Sequence, residues 1–144
     1  EVKSEWHPPD RAFLGEVARI AGAHAGPIAL MSFDPAVMAV LRELAPTVPR
    51  GIVSGNYLAA ADDDPWWAQI LTRERAERLT HLLDSGPADP SFYAYDVKSL
   101  PTHVTRYVRE VQHLPLFTWT VRNDADLANA RRHADAPIFE GFLT

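Results

Sequence analysis

Leu116-Phe117-Thr118-Trp119-Thr120-Val121-Arg122 is the stretch on which the fold reading turns. β-Branched and aromatic residues fill it, Pro115 precedes it and Asn123-Asp124 follow it, so it reads as a strand with turn signals at both ends. Asp124 then caps a helix predicted to run through Leu127 and Ala130 to His133. A strand that feeds straight into a helix is the repeating unit of α/β folds, whose sites are built at strand C-termini. Trp119 stands near such an end, between two threonines. It is a candidate pocket wall, with a packed core tryptophan as the plainer alternative.

Outward from this unit the alternation repeats. Residues 1–3 alternate like the tail of a strand, and His7-Pro8-Pro9-Asp10 breaks it and opens a helix to about His24. Phe13, Leu14, Val17, Ile20 and Ala21 are its predicted buried stripe. The apolar run 27–33 reads as a parallel strand covered on both faces. Asp34-Pro35 starts a helix with the stripe Val37, Val40, Leu41 and Leu44. Residues 51–55 form a third strand. After it, 56–71 is too long for an ordinary βα loop and carries Asp62-Asp63-Asp64-Pro65-Trp66-Trp67. A helix over 72–84 buries Leu79, Leu82 and Leu83, and 91–97 is a strand whose Tyr93 and Tyr95 share a face. Pro101 opens a helix striped with Val104, Tyr107, Val108 and Val111, and 136–142 is the last strand.

Six strands alternating with five helices imply a parallel sheet with helices on its faces. No Gly-x-Gly-x-x-Gly or Walker-type loop follows any strand, which leaves nucleotide folds without support. The expectation is therefore a TIM-type (β/α)8 barrel, a single incomplete domain over 1–144 with about six of eight units, the first two lying upstream of Glu1.

Composition narrows the partners. A net charge of −5 gives no electrostatic reason to expect nucleic acid, and no apolar run reaches membrane-span length. The absence of cysteine removes thiolate metal sites and Cys nucleophiles, and fits a cytoplasmic protein. His7, His24, His81, His103, His113 and His133 show no metal spacing and share no strand end; for His24, His81, His113 and His133, at helix ends or on helices, surface and capping roles are expected. Arg131-Arg132 reads as a solvated helix end, and the aspartate run as a solvated loop.

Four places, taken in order, resemble the glycerophosphodiester phosphodiesterase family, whose catalytic domain is an eight-fold βα barrel. Glu1-Val2-Lys3 is similar to its Glu-x-Lys strand end, Ser32-Phe33-Asp34 to its Ser-Phe-Asp/Asn turn with Leu41 after it, and Thr118-Trp119-Thr120-Val121 to its Trp-Thr-Val strand. Residues 136–142 sit where the family's closing strand falls, with Glu140-Gly141 in place of Thr-Asp. The family's His-Arg-Gly strand, Glu-x-Asp metal strand and His-Asp segment would precede Glu1, so the catalytic residues are expected upstream and none in this chain.

The resemblance implies metal-dependent hydrolysis of a small-molecule glycerophosphodiester to an alcohol and glycerol 3-phosphate, a step of lipid metabolism. It makes Glu1 a ligand to a divalent ion (Mg or Ca), Lys3 a phosphate contact, Trp119 a cover for the glycerol moiety and Phe33 a second pocket wall. Residues two apart on a strand share a face, so a carboxylate beside an ammonium is chemically apt at a barrel mouth; a surface ion pair is the plain alternative. Two rival readings stand beside it. One is a non-catalytic scaffold half-barrel completed by a homodimer partner or by the upstream segment. The other is a barrel hydrolase of sphingomyelinase-D-like specificity.

Overall fold

The computed structural model describes residues 1–58 and 67–141. Helices and strands alternate among them: α1 (Arg11–Ala23), β1 (Leu30–Ser32), α2 (Pro35–Leu44), β2 (Arg50–Ser54), α3 (Arg73–Thr80), β3 (Phe92–Asp96), α4 (His103–Glu110), β4 (Leu116–Val121), α5 (Asp124–His133) and β5 (Ala136–Phe139). The five strands follow chain order in the sheet, β1-β2-β3-β4-β5. The α/β alternation read from the sequence is thus present. The residues gather into two compact units, Glu1–Val53 with Asp84–Phe92, and Ser54–Leu83 with Tyr93–Thr144. Among the described residues no helix is long and apolar enough to cross a membrane.

In the first unit α1 starts where Asp10 accepts the Ala12 and Phe13 amides. β1 and β2 pair in parallel, Met31 opposite Gly51. Leu14, Met38, Leu41 and Ile52 are almost wholly buried. Two expectations are corrected here. The stripe of α1 is Leu14, Ala18 and Ala21 rather than one that includes Phe13 and Ile20, which are 55% and 61% exposed. The small alanines occupy the packed face, and the larger side chains turn outward. The second correction concerns strands. The run 27–33 shortens to β1, with Pro27 and Ala29 exposed. Residues 1–3 make no strand ladder: Val2 is buried and its amide donates to the Met31 carbonyl at 2.8 Å, but Trp6 turns to φ 61 and Pro8-Pro9 follow. Five strands, not six, are therefore formed among the described residues.

In the second unit β3 and β4 run parallel, pairing Tyr95 with Thr118 and Asp96 with Trp119, and β5 joins β4 with a register shift between Thr118 and Val121. Alternation then sorts the side chains. Tyr95 is fully buried and its hydroxyl donates to the Thr80 carbonyl at the end of α3, 2.8 Å away, so the Tyr95–Thr118 side faces the helices. Burial pushes the Tyr95 phenol well above its ordinary pKa, with the Asp96 charge adding to the effect. Tyr95 therefore packs against the end of α3, and Tyr93, two residues earlier on β3, shares its side of the strand. On the opposite side Phe117 and Trp119 are half-buried, while Leu116, Thr118 and Val121 are inaccessible. Val97, Val121, Leu127 and Ala130 form a core cluster.

Helix ends in this unit depart from the sequence reading for local reasons. α3 stops at Thr80 because Leu82 adopts φ 57, which leaves Leu83 59% exposed. Thr102 and Thr105 cap α4 reciprocally, and Thr105 and Val108 take its buried face, so Tyr107 and Val111 are exposed. Asn123, not Asp124, caps α5. β5 ends at Phe139, short of the expected Phe142, because Glu140 and Gly141 are bends, Gly141 at φ 64; Phe142 and the segment Asp62-Asp63-Asp64-Pro65-Trp66 lie outside the described residues. Trp67 packs edge-on against Tyr57, their ring centroids 5.5 Å apart, in keeping with a loop anchored by packing.

Two carboxylates fasten this unit. Asp126, 5% exposed, accepts the Lys98 ammonium at 2.5 Å and the Arg122 amide at 3.3 Å. Asp135 accepts Arg109 at 2.8 Å through one oxygen and the Leu116 amide at 2.8 Å through the other. Burial by itself would raise both carboxyl pKa values, but these hydrogen bonds and positive charges outweigh it and hold both below the ordinary range. A depressed folded pKa gives stability that is present above the unfolded value of about 4 and lost as pH falls through the folded value. The unit should thus lose stability below about pH 4, and Asp126→Asn should flatten that acid limb. Denaturant midpoints between pH 7 and pH 3 test this; an unchanged acid limb in the variant would contradict it.

Candidate functional site

Three of the predicted site residues meet in the first unit. Lys3 donates to the Glu1 carboxylate, and its ammonium lies 5.8 Å from the centroid of the Phe33 ring. Lys3 is 79% exposed at its side chain and Glu1 25%. The two-residue spacing brings carboxylate and ammonium together, although the backbone is held by the single Val2–Met31 bond described above.

What holds this segment is a pair of residues that spacing did not single out for the site. Asp34, 2% exposed, caps α2 by accepting the Ala36 amide at 3.0 Å and takes a hydrogen bond from the Ser4 hydroxyl at 2.8 Å with its other oxygen. Its own amide donates to Ser32 at 3.1 Å, and Ser4 accepts the Trp6 amide at 3.0 Å. The sequence shows Asp34 as a helix cap; that the same carboxylate clamps the chain bearing Glu1 and Lys3 is a tertiary fact. Asp34→Ala should cost about 1–2 kcal/mol through the lost cap and free the Trp6 amide to exchange faster. Thermal melting and amide exchange read the two effects, and slow exchange at Trp6 in a folded variant would refute the clamp.

Trp119 belongs to the second unit. It lies on β4, on the side away from the helices, and its indole N–H donates to the Ala94 carbonyl at 3.4 Å. Asp96, its register partner, ends β3. Gly55 follows β2, and a Cβ built there would lie 3.0 Å from the Asp96 Cβ and 3.9 Å from Trp119 Cζ2, so the backbone passes close over both. Asp96 accepts the Lys98 amide at 3.2 Å and the Ser99 hydroxyl at 2.7 Å, and Ser99 accepts the Asn56 amide at 3.3 Å. Asp96 and Gly55 escaped the sequence reading. The available signal was an aspartate at the end of a predicted strand, which also suits an ordinary turn.

For a divalent ion the donor set is incomplete. Among the described residues no three His, Cys, Asp or Glu side chains converge, and Glu1 offers one carboxylate already turned to Lys3. Mg²⁺ and Ca²⁺ take six or more oxygen ligands, so Glu1 could serve only as one of several. His24 and His81 follow the last residues of α1 and α3, and His133 is the last residue of α5.

No family model matches the chain, and no curated protein matches it. Solved structures do. A protein assigned as a glycerophosphoryl diester phosphodiesterase from Silicibacter pomeroyi superposes with a TM-score of 0.60 at 18% identity, over 95% of this chain and 45% of that one. A phosphodiesterase from Oleispira antarctica, solved with the product sn-glycerol-3-phosphate, gives 0.55 at 15% identity, over 90% of this chain and 45% of that one. At such identities the likeness is one of fold, and this chain spans under half the length of either.

Proposed function

We propose, from the fold shared with these phosphodiesterases, that the chain is the C-terminal part of a single (β/α)8 barrel domain that hydrolyses glycerophosphodiesters to an alcohol and glycerol 3-phosphate. The observation that carries this reading is Trp119, half-buried beside the end of a strand on the face that the helices leave open. In this reading Trp119 and Phe33 are apolar walls for substrate, and Lys3 offsets phosphate charge. Glu1 is one ligand of a divalent ion (Mg²⁺ or Ca²⁺), which when bound supplies Lewis-acid polarisation of the phosphoryl oxygen. The proton-transferring residues are assigned to strands outside these residues.

The test is hydrolysis of glycerophosphocholine with Mg²⁺ or Ca²⁺, by this chain and by one extended upstream. Turnover is expected in the extended chain, and Trp119→Ala should lower its kcat/KM at least about tenfold by removing an aromatic contact. Equal, robust turnover by the short chain would overturn the upstream assignment of the catalytic groups. No turnover by either would sink the enzymatic reading. A second reading, a partner-binding scaffold, draws on the exposed Phe13 and Ile20 of α1. Self-association in solution that Phe13→Ser abolishes is its expected signature, and a concentration-independent monomer mass counts against it.

A further inference from the structure

We infer that α4 carries a self-association surface, whose occupant is the α4 of a second copy of this chain packed antiparallel to it; this is independent of the hydrolytic reading. Val104, Tyr107 and Val111 recur at steps of three and four, so they line one side of the helix. Thr105 and Val108 already take the buried side, which leaves Tyr107 53% and Val111 60% exposed and Val104 half-buried. The helix lies inside the βα order of the second unit, with α3 before it and α5 after it. A further βα repeat would add beside β1 or β5, at an end of the sheet, and would leave this stripe bare. It is thus a different case from the exposed Phe13 and Ile20, which belong to the first helix in that order.

Charge identifies the occupant. Arg106 and Glu110 flank the stripe on one side, both exposed, and neither side chain makes an ion pair among the described residues. They stand four apart with arginine N-terminal to glutamate, the weaker order for a pair within one helix. A two-fold axis through the middle of the stripe runs the two helices antiparallel and sets each flank beside its own copy. Residue 106 of one chain then comes level with residue 110 of the other, twice over, and Val104 falls within one residue of Val111. Two Arg–Glu pairs close beside an apolar strip of Tyr107 and the valines. The face supplies both members of its own complement, as an isologous contact requires. An acidic chain with Glu110 in that flank has no such match to an anionic lipid surface. One pair of short helices buries less than a standard interface, so weak association, at roughly tens to hundreds of micromolar, is expected.

Sedimentation of the whole chain over a range of concentrations tests this, with circular dichroism on each variant. Mass is expected to rise with concentration, and Tyr107→Ser should weaken dimerisation at least about fivefold. Arg106→Glu and Glu110→Arg should each weaken it comparably, because like charges then face each other across the axis. Mixed in equal amounts, the two charge variants should associate as well as the parent does, since each supplies what the other lacks. A fold defect in either one would not be repaired by mixing. A parent chain that stays monomeric to millimolar concentration overturns the proposal, as do charge variants that remain apart when mixed. Self-association that Phe13→Ser abolishes and Tyr107→Ser spares overturns it too, by assigning the contact to α1. So does a monomer that binds phosphatidylcholine–phosphatidylglycerol vesicles through Tyr107, which would make the face a membrane contact. Should Tyr107→Ser fail to fold, the mixing of the charge variants decides, because Arg106 and Glu110 are exposed in the parent.

Discussion

Replacing Arg50 by alanine is expected to destabilise the first unit by about 2–4 kcal/mol, because several buried carbonyl groups lose a donor at once. Arg50 is 7% exposed and is paired with no carboxylate among the described contacts. Its Nε donates to Ala88 O at 3.2 Å, and one terminal nitrogen faces Ala45, Pro46 and Val48 at 3.4, 3.2 and 3.0 Å. The last three carbonyls belong to the turn that leaves α2, beyond its intrahelical bonding; of them Ala45 O also accepts the Val48 amide at 3.1 Å. A planar guanidinium reaches both sides of that turn; an ammonium is a point donor on a flexible stem. Arg50→Lys should therefore recover less than half of the loss. Urea denaturation with amide exchange over α2 and β2 measures both, and a lysine variant as stable as the parent would show that charge alone, not the fork, matters.

Gly51→Ala should be comparably damaging, about 3 kcal/mol, for a steric reason. A Cβ at Gly51 would stand 2.1, 2.3 and 2.6 Å from three atoms of the Phe92 ring, which is itself 7% exposed. No rotation of a buried ring clears such an overlap without displacing its neighbours, so the strand or the ring must shift. The partner mutation gives the check. Phe92→Leu alone should destabilise as a large-to-small change, yet combined with Gly51→Ala it should recover part of the loss, a coupling that a double-mutant cycle measures. Strict additivity would refute the packing account. Gly51 and Arg50 are neighbours with unrelated roles, one making room for a ring and the other donating to a turn. Sequence periodicity marks both only as the start of a strand.

The same division runs through the rest of the chain. Local chemistry was legible: Asp10 and Asp34-Pro35 start helices, β4 forms where Leu116 to Val121 alternates, and the order of elements follows from these signals. Residues two apart, Glu1 and Lys3, do meet, because that contact needs only backbone direction. Helix faces were read less well. Periodicity places apolar residues on a stripe but not the stripe's rotation against a neighbour, and so Ala18 is buried while Phe13 and Ile20 are exposed. Strand parity has the same limit, since alternation separates Tyr95 from Trp119 without saying which side carries helices.

By itself, then, the sequence determined the alternating α/β plan, the starts of most elements and Trp119 as a residue near a strand end. These depend on caps, turns and side-chain periods that act over a few residues. Only the tertiary structure decided that the helices cover the Tyr95 side and that Trp119 lies half-buried beside Asp96 and Gly55. It alone showed Asp34 tied to Ser4 and Arg50 donating to the turn after α2. Those arrangements depend on which surfaces meet across distant stretches of chain, and burial and charge compensation exist only once they have met.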